Sequence, residues 1–180
     1  MTIGAPFPEV LAAARTGADW AWERLVMSIG GSLRGYLAAH GAADADDLTG
    51  EVLLQLVRGI HGFEGDEAGF RSWVFVIAHH RLIDERRRQA RELARRGQQV
   101  PIGDAPAADA GLDDAPGADW LRRLSTLSGD QRQVILLRVV AGLPVEEVAR
   151  ILGKRAGTVR VLQHRALTRL RADLMAGVTP

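Results

Sequence analysis

The amino-acid sequence predicts an all-α protein made of two small helical domains joined by a flexible linker. Apolar residues recur at helical spacing over several long stretches, and no stretch alternates as a strand would. One internal stretch has no sustained apolar period at all. We therefore place the first domain at residues 1–97, the linker at 98–117 and the second domain at 118–180.

Three amphipathic helices are predicted in the first domain. The apolar face of the first helix consists of Trp22, Leu25, Val26, Ile29, Leu33 and Leu37. That of the second consists of Leu48, Val52, Leu53, Leu56 and Ile60. The third helix runs from about Phe70 past Arg88, and its apolar face consists of Phe70, Trp73, Val74, Ile77, Ala78, Leu82 and Ile83.

The predicted linker is rich in Ala, Asp, Pro and Gly, a composition that does not support a packed core. After it, Trp120, Leu121, Leu124 and Leu127 predict a short helix. Ser128 and Gln131 then have the spacing of a capping box, which opens another helix that Gly142 closes.

The sequence from Leu143 to Arg171, in the last part of the second domain, predicts a helix-turn-helix. Pro144 suits the start of a helix, and Gly153 suits the left-handed residue that ends it. A second helix, starting near Gly157 or Thr158, is the recognition helix of such a motif, the one that enters the major groove. Its apolar stripe consists of Val159, Leu162, Ala166 and Leu170, and the side chains left to face a partner are Arg160, Gln163, His164 and Arg165.

Charge is distributed unevenly along a chain whose formal net charge is only +1. Residues 150–171 contain seven Lys or Arg and no acidic residue, whereas residues 98–119 contain five Asp and no basic residue. A further basic run, residues 81–96, holds seven Arg against three acidic residues. Basic helix faces of this kind favour nucleic-acid binding, although a solvated basic face that touches no nucleic acid has the same pattern.

A loop with three glycines and two phenylalanines, His61–Phe70, precedes the upstream basic run. We call it the aromatic loop. Aromatic rings beside arginines suit single-stranded nucleic acid, because bases stack on the rings while the guanidinium groups hold the backbone. We expect Phe70 and Trp73 mainly to pack in the core, whereas Phe63 and Phe75 could do either.

Several other classes of protein are not favoured by the sequence. It has no cysteine, no apolar run of about 20 residues that would span a bilayer and no signal-peptide pattern, so we expect a cytoplasmic protein. His79 and His80 are adjacent and cannot chelate a metal as an i, i+4 pair does. The acidic residues after Asp44 lack the spacing of a calcium loop. We expect no enzymatic activity, cofactor or metal.

Three ordered segments resemble a known family. They are the acidic run from Asp44 to Leu48 with Glu51 and Leu56, the segment from Gly62-Phe63 through Phe70-Arg71-Ser72-Trp73 to Asp84, and Gly157-Thr158-Val159-Arg160 with His164-Arg165-Ala166. Together they resemble the bacterial sigma-70-type transcription initiation factors, specifically the small extracytoplasmic-function (ECF) class. The resemblance covers most of the chain outside the linker.

The resemblance implies that the first domain binds core RNA polymerase at the β′ clamp helices and captures a melted minus-10 strand. It implies that the second domain rests on the β flap and reads the minus-35 element. An anti-sigma protein is a further partner known for the family. The positions carried over for polymerase binding are Asp47, Leu48, Glu51 and Gln55. Those for minus-10 DNA are Phe63, Arg71, His79, His80, Arg81, Asp84, Arg87 and Arg88, and those for minus-35 DNA are Arg155, Thr158, Arg160, Gln163, His164 and Arg165.

Some positions depart from the family pattern. Gly50 stands where glutamine is usual, and Leu53 and Val57 replace aromatic residues, which predicts a polymerase contact that is either weaker or of different shape. A stand-alone helix-turn-helix regulator, with the first domain serving for dimerisation or effector binding, is the alternative. A nucleic-acid-processing enzyme is a third and more distant one. The acidic helix followed by an aromatic, arginine-flanked loop favours the initiation factor, because a conventional regulator has no need of either.

Overall fold

The computed structural model describes Ile3, residues 6–97 and residues 118–176, and within these ranges all regular secondary structure is helical. The prediction of an all-α fold is thus confirmed. The predicted linker lies outside the described residues, so its flexibility and the domain boundaries stay predictions.

The first lobe contains four helices and one short turn. They are α1 (Phe7–Arg15), α2 (Asp19–Ala39), α3 (Ala45–Gly59), a 3-10 turn (Ile60–Gly62) and α4 (Glu67–Arg95). The three predicted helices are found as α2, α3 and α4, whereas α1 was not predicted. Helix α1 closes the core from outside, since its Phe7 packs against Phe63 and Phe70.

Side-chain caps explain where α3 and α4 begin. The Asp44 carboxylate accepts hydrogen bonds from the backbone N–H groups of Asp46 and Asp47, at 3.0 and 2.8 Å. The Asp66 carboxylate accepts one from the N–H of Gly69 at 2.8 Å. Each cap satisfies N–H groups that the first helical turn leaves unpaired, and each places negative charge at the positive end of the helix dipole.

The second lobe contains α5 (Ala118–Ser125), α6 (Gly129–Ile135), a π-helical turn (Leu136–Val140), α7 (Val145–Leu152) and α8 (Ala156–Ala176). The capping box is confirmed, since the Ser128 hydroxyl accepts from the N–H of Gln131 and the Gln131 side chain accepts from the N–H of Ser128. Gly153 ends α7 with a φ of +61°, a left-handed conformation that suits glycine. The helix-turn-helix is therefore present as α7 and α8.

The two lobes pack against each other as well as internally. Helix α2 contacts the π-helical turn, and α4 contacts α7. Inside the second lobe, the buried Arg132 side chain donates to the carbonyls of Leu124 and Leu127, at 3.0 and 3.3 Å. Those carbonyls lie at the end of α5 and beyond, so Arg132 supplies the donors that a helix C-terminus lacks.

Candidate nucleic-acid interface

Helix α8 buries one face and exposes the opposite one. Val159, Ala166 and Leu170 are buried where α8 packs against α6 and α7. Residues on the other side of the helix are exposed because no other described element covers them; they are Gly157, Thr158, Val161, His164, Arg165 and Thr168. The exposed side of α8 between Gly157 and Thr168 is thus a continuous surface about three turns long, available to a partner.

The sequence-predicted residues of the recognition helix divide into two groups. Arg155, Thr158, His164 and Arg165 are exposed. Gln163 is half-buried, and its side-chain oxygen accepts a hydrogen bond from Arg138 Nε at 3.1 Å. Gln163 is therefore directed toward the body of the lobe. Val161, which the sequence analysis did not select, is 49% exposed on the outer face.

Ion pairs occupy some of the basic side chains of this lobe. Arg160 pairs with Glu146 at 3.0 Å, Lys154 pairs with Asp130 at 2.9 Å and Arg150 pairs with Glu147. Within the described part of the chain, four arginines of the same stretch have no acidic partner: Arg155, Arg165, Arg169 and Arg171. These four supply the uncompensated positive charge of the helix-turn-helix.

Helix α3 carries the residues predicted to bind polymerase, and the structure separates them by exposure. Asp47 is exposed, whereas Leu48 is buried in the core of the lobe. Leu54, which the sequence analysis did not place in the site, is 59% exposed, and Val57, which replaces an aromatic residue of the family pattern, is 48% exposed. Asp47 and Leu54 are seven residues apart and so share one face of the helix. This face, which we call the α3 face, consists of Asp47, Gly50, Leu54 and Val57.

Arg81 of α4 connects two sets of predicted residues. Its Nε donates to the side-chain oxygen of Gln55 at 2.9 Å, and one terminal nitrogen lies 4.0 Å from a Glu51 carboxylate oxygen. Glu51 and Gln55 were predicted to bind polymerase and Arg81 to bind promoter DNA. The structure brings them together in one half-buried cluster that joins α3 to α4.

The aromatic loop is packed inward. The Phe63 ring is buried and stacks on Trp73, with ring centroids 5.1 Å apart and an interplanar angle of 21°. Arg15 of α1 donates to the carbonyls of Ile60 and Phe63, which fixes the backbone on either side of the turn. The Phe63 ring is thus part of the core in this structure, and so is Phe75, which is fully buried.

Gly59, at the end of α3, is required by this packing. A Cβ atom at this position would lie 2.8 Å from the Trp73 ring. Real Cβ atoms do not approach other atoms so closely, so any other residue would displace the ring. The stacked pair of Phe63 and Trp73 therefore depends on a glycine that the hydrophobic pattern alone does not reveal.

A cleft of about 590 Å³ lies between the aromatic loop and the second lobe. The first lobe contributes Gly62, Phe63 and Trp73 to its lining, and α7 contributes Glu147 and Arg150. The aromatic loop is therefore partly covered by the helix-turn-helix in this arrangement of the lobes.

The other predicted minus-10 residues lie along α4. His80, Asp84, Arg87 and Arg88 are exposed, and Arg87 lies 3.8 Å from the Asp84 carboxylate. Arg71 is half-buried and His79 is buried. The Tyr36 hydroxyl hydrogen-bonds Nδ1 of His79 at 3.0 Å, so His79 belongs to the interior of the lobe. The exposed part of the predicted set lies on the second half of α4.

A buried polar cluster surrounds His40 at the end of α2. His40 Nδ1 donates to the Tyr36 carbonyl at 2.9 Å, and the His40 carbonyl accepts from Arg86 at 2.7 Å. Burial lowers the pKa of His40 to about 3, because the charged imidazolium would lose its hydration. Burial likewise raises the pKa of Tyr36. His40 is therefore held neutral in the folded lobe.

Across residues 6–97 and 118–176, no group of three or more His, Cys, Asp or Glu side chains is arranged to hold a metal ion. Within the same residues, none of the helices combines the length and apolar character needed to cross a membrane.

Known proteins resemble the chain in both lobes. The family profile described as Sigma-70 region 2 matches residues 20–92, and the profile described as Sigma-70, region 4 matches residues 118–170. Among solved structures, the sigma factor RpoE in complex with the anti-sigma factor NepR from Bartonella quintana has a TM-score of 0.65 and 26% identity, covering 85% of this chain and 96% of that one.

Curated relatives give the class within the family. The ECF RNA polymerase sigma factor SigD of Mycobacterium tuberculosis (strain ATCC 25618 / H37Rv) is 36% identical over 137 residues, which cover 73% of this chain and 64% of the relative. The ECF RNA polymerase sigma factor ShbA of Streptomyces griseus is 34% identical over 138 residues, covering 71% of this chain and 70% of the relative. The chain thus spans just under two thirds of the length of SigD. These matches confirm the resemblance, and the chain belongs to the sigma-70 family, in its ECF class of RNA polymerase sigma factors.

Proposed function

We propose that the chain is a transcription initiation factor that binds core RNA polymerase, directs it to specific promoters and helps to melt the minus-10 element. The observation that carries this proposal is the match of both lobes to sigma-70 regions. A stand-alone regulator with a helix-turn-helix has no reason to carry region 2, so that alternative is not favoured. We also propose residues 1–97, 98–117 and 118–180 as the first domain, linker and second domain.

The exposed side of α8 is suited to the major groove. It combines Thr158, His164 and Arg165 on a helix whose opposite face is fixed in the core. Basic side chains on such a surface neutralise phosphates, and arginine also forms bidentate hydrogen bonds with guanine O6 and N7. The second lobe would thus attach the complex to paired DNA at the minus-35 element.

The first lobe would hold the displaced strand. Extruding a base costs a few kcal/mol, and a protein without an energy source must recover that cost by binding the melted strand more tightly than the duplex. The exposed side chains available for this are His80, Arg87 and Arg88 on α4. Since the Phe63 ring is buried, a base in the loop would meet the backbone between Gly62 and Gly69 and the rim of the Trp73 ring.

The lobes must separate before both can bind one promoter. Positions −35 and −10 are about 25 base pairs apart, or about 85 Å at about 3.4 Å per pair. In the structure the lobes are in contact, and α7 lies over the aromatic loop.

Because the chain has no cysteine, dyes attached through Gly35→Cys and Met175→Cys would report the separation of the lobes without background labelling. Energy transfer between them should fall when core polymerase and promoter DNA are added together, and an unchanged signal would count against a closed starting state.

Polymerase would bind the α3 face. Asp47 offers a carboxylate, and Leu54 and Val57 offer apolar surface that no other described element covers. Exposed apolar groups surrounded by polar ones are typical of protein-binding surfaces. The partner would be the β′ clamp helices, and the β flap would receive the second lobe.

Catalysis would belong to the polymerase. Sigma factors are transcription factors rather than enzymes, and we propose that this chain likewise carries no catalytic group, cofactor or metal. Its place of action would be the cytoplasm, where bacterial transcription occurs. Because the similar RpoE chain was crystallised with the anti-sigma factor NepR, an anti-sigma protein is a further proposed partner.

The test of this function is transcription with purified components. Core polymerase, the chain and a library of promoter fragments should give specific run-off transcripts that are absent when the chain is left out. Transcripts that do not depend on the chain, or a complete lack of transcripts across a broad library, would contradict the proposal.

A further inference from the structure

Val161 occupies the centre of the exposed side of α8. At 3.6 residues per turn it lies about 140–180° around the helix from Val159, Ala166 and Leu170, the three buried residues. Gly157, Thr158, His164, Arg165 and Thr168 are three, four or seven residues away and therefore surround it on the same face. Val161 therefore projects away from the core, on the side of α8 opposite the buried residues.

The chemistry of Val161 contrasts with its surroundings. Its neighbours on this face are glycine or polar and basic residues, and the valine is 49% exposed. A β-branched apolar residue contributes little to helix stability, and here it is not packed in a core either. Its position is thus better explained by contact with a partner.

The charge around Val161 identifies that partner as duplex DNA. Arg165 lies about one turn from it and Arg169 about two turns from it on α8, Arg155 lies just before the helix, and among the described residues these three have no acidic partner. An apolar protein surface would leave these charges unpaired when it covered them, whereas phosphates would neutralise them. Within the major groove, the characteristic apolar group on a base edge is the 5-methyl of thymine.

The orientation of Gln163 supports the same inference. An amide can read adenine, but the Gln163 oxygen accepts from Arg138 and the side chain lies half-buried. Val161, which follows Arg160, is the residue exposed on the outer face instead. We propose that Val161 is a specificity-determining residue that contacts the 5-methyl group of a thymine in the minus-35 element. This inference rests on the proposed function of α8.

The test removes single methyl groups from DNA. Each thymine of a bound minus-35 element is replaced by deoxyuridine in turn, on either strand, and the dissociation constant of the assembled holoenzyme is measured. For the wild-type protein we expect one position at which uracil weakens binding about fourfold, the factor that burial of one methyl group supplies. For Val161→Ala, the dissociation constant with uracil at that position, divided by the one with thymine, should fall to about one.

Two other variants keep the test falsifiable. Val161→Thr is nearly isosteric and retains one methyl group, so it should preserve the uracil effect. Leu174→Ala removes another exposed apolar side chain of α8, on a different face and more than three turns away, and should leave the effect unchanged. A wild-type protein that binds the element specifically but shows no uracil effect at any thymine would overturn the inference about Val161. A uracil effect that persisted in Val161→Ala would also overturn the inference. Binding with no sequence preference at all would instead overturn the proposed function of α8.

Discussion

Helix α8 and the aromatic loop present their characteristic side chains in opposite ways. On α8 His164 and Arg165 are exposed as their pattern suggested, and so is Arg155 just before it. In the loop, the Phe63 ring is buried against Trp73, and the nearby His79 is buried beside Tyr36. A helix with a core on one side leaves its polar residues outside, whereas an aromatic residue in a loop has no such periodicity to fix its direction. Exposure could thus be predicted for the recognition-helix residues apart from Gln163, but not for the aromatic loop.

The largest effect should follow from disrupting the α3 face. We expect Asp47→Ala combined with Leu54→Ala to weaken binding to core polymerase about 30-fold or more, since interface residues of central importance contribute about 2 kcal/mol or more on truncation. Both are exposed, so the fold should persist. Binding is measured by titration of labelled protein with core enzyme.

The matched control for the α3 face is Glu23→Ala combined with Met27→Ala. These residues also place one exposed carboxylate and one exposed apolar side chain on a helix, but on α2. If the α2 pair weakened polymerase binding as much as the α3 pair did, the docking face would have to be reassigned.

The next largest effect should follow from disrupting the packing of the aromatic loop. Gly59→Ala should lower the free energy of unfolding of the protein by about 1–3 kcal/mol, because the new methyl group overlaps the Trp73 ring. Gly50→Ala is the control in the same helix: nothing lies within 4 Å of its added Cβ, and the greater helix propensity of alanine should stabilise by up to about 1 kcal/mol. Urea denaturation measures both. Equal effects of the two changes would mean that the stacked pair does not constrain the loop.

The buried polar cluster predicts a dependence on pH. The pKa of His40 is about 3 in the folded lobe, well below the value of about 6.5 for an unfolded chain. Between these values the unfolded state binds the extra proton, so stability is full above about pH 6.5 and is lost as pH falls, by up to about 1.4 kcal/mol per pH unit. The stability difference between wild type and His40→Asn should therefore shrink on acidification.

Denaturation at pH 7, 6 and 5 measures this effect. His80→Asn, which changes an exposed histidine of α4, controls for loss of an imidazole as such. A wild-type advantage over His40→Asn that stayed constant over this range would show that His40 is not held neutral by burial.

The smallest effect concerns the exposed side of α8. Arg165→Ala should weaken binding to the minus-35 duplex by about 1 kcal/mol and lower the salt slope of log K by about 1, as expected on loss of one phosphate contact. Arg24→Ala, at an exposed position of α2, should leave the slope unchanged. Equal slopes for wild type and Arg165→Ala would indicate that DNA does not lie on this face.

Local signals in the sequence predicted much of the fold. The apolar periods located α2, α3 and α4, and the capping box at Ser128 and the left-handed Gly153 fixed two helix ends. Each of these depends on residues within a few positions of one another. Helix α1 was missed because it is nine residues long and its stability depends on packing against the aromatic loop.

The candidate site was less predictable, because it depends on contacts between distant residues. Nothing in the sequence near Gln163 indicates that Arg138 holds it, and nothing near Arg81 indicates its contact with Gln55 on another helix. The contact of α7 with α4, which covers the aromatic loop, is of the same kind. Val161 could have been selected from helical geometry alone, but its apolar side chain was not expected on a DNA-facing surface.

Permanganate footprinting of the assembled complex tests the central claim most directly, because it detects unpaired thymines. With core polymerase, the chain and a promoter that it transcribes, thymines of the minus-10 element should become reactive while the minus-35 element stays paired and protected. Omission of the chain should abolish both signals. Uniformly unreactive thymines in a complex that contains all three components would contradict the claim that this chain holds one promoter element melted and another paired.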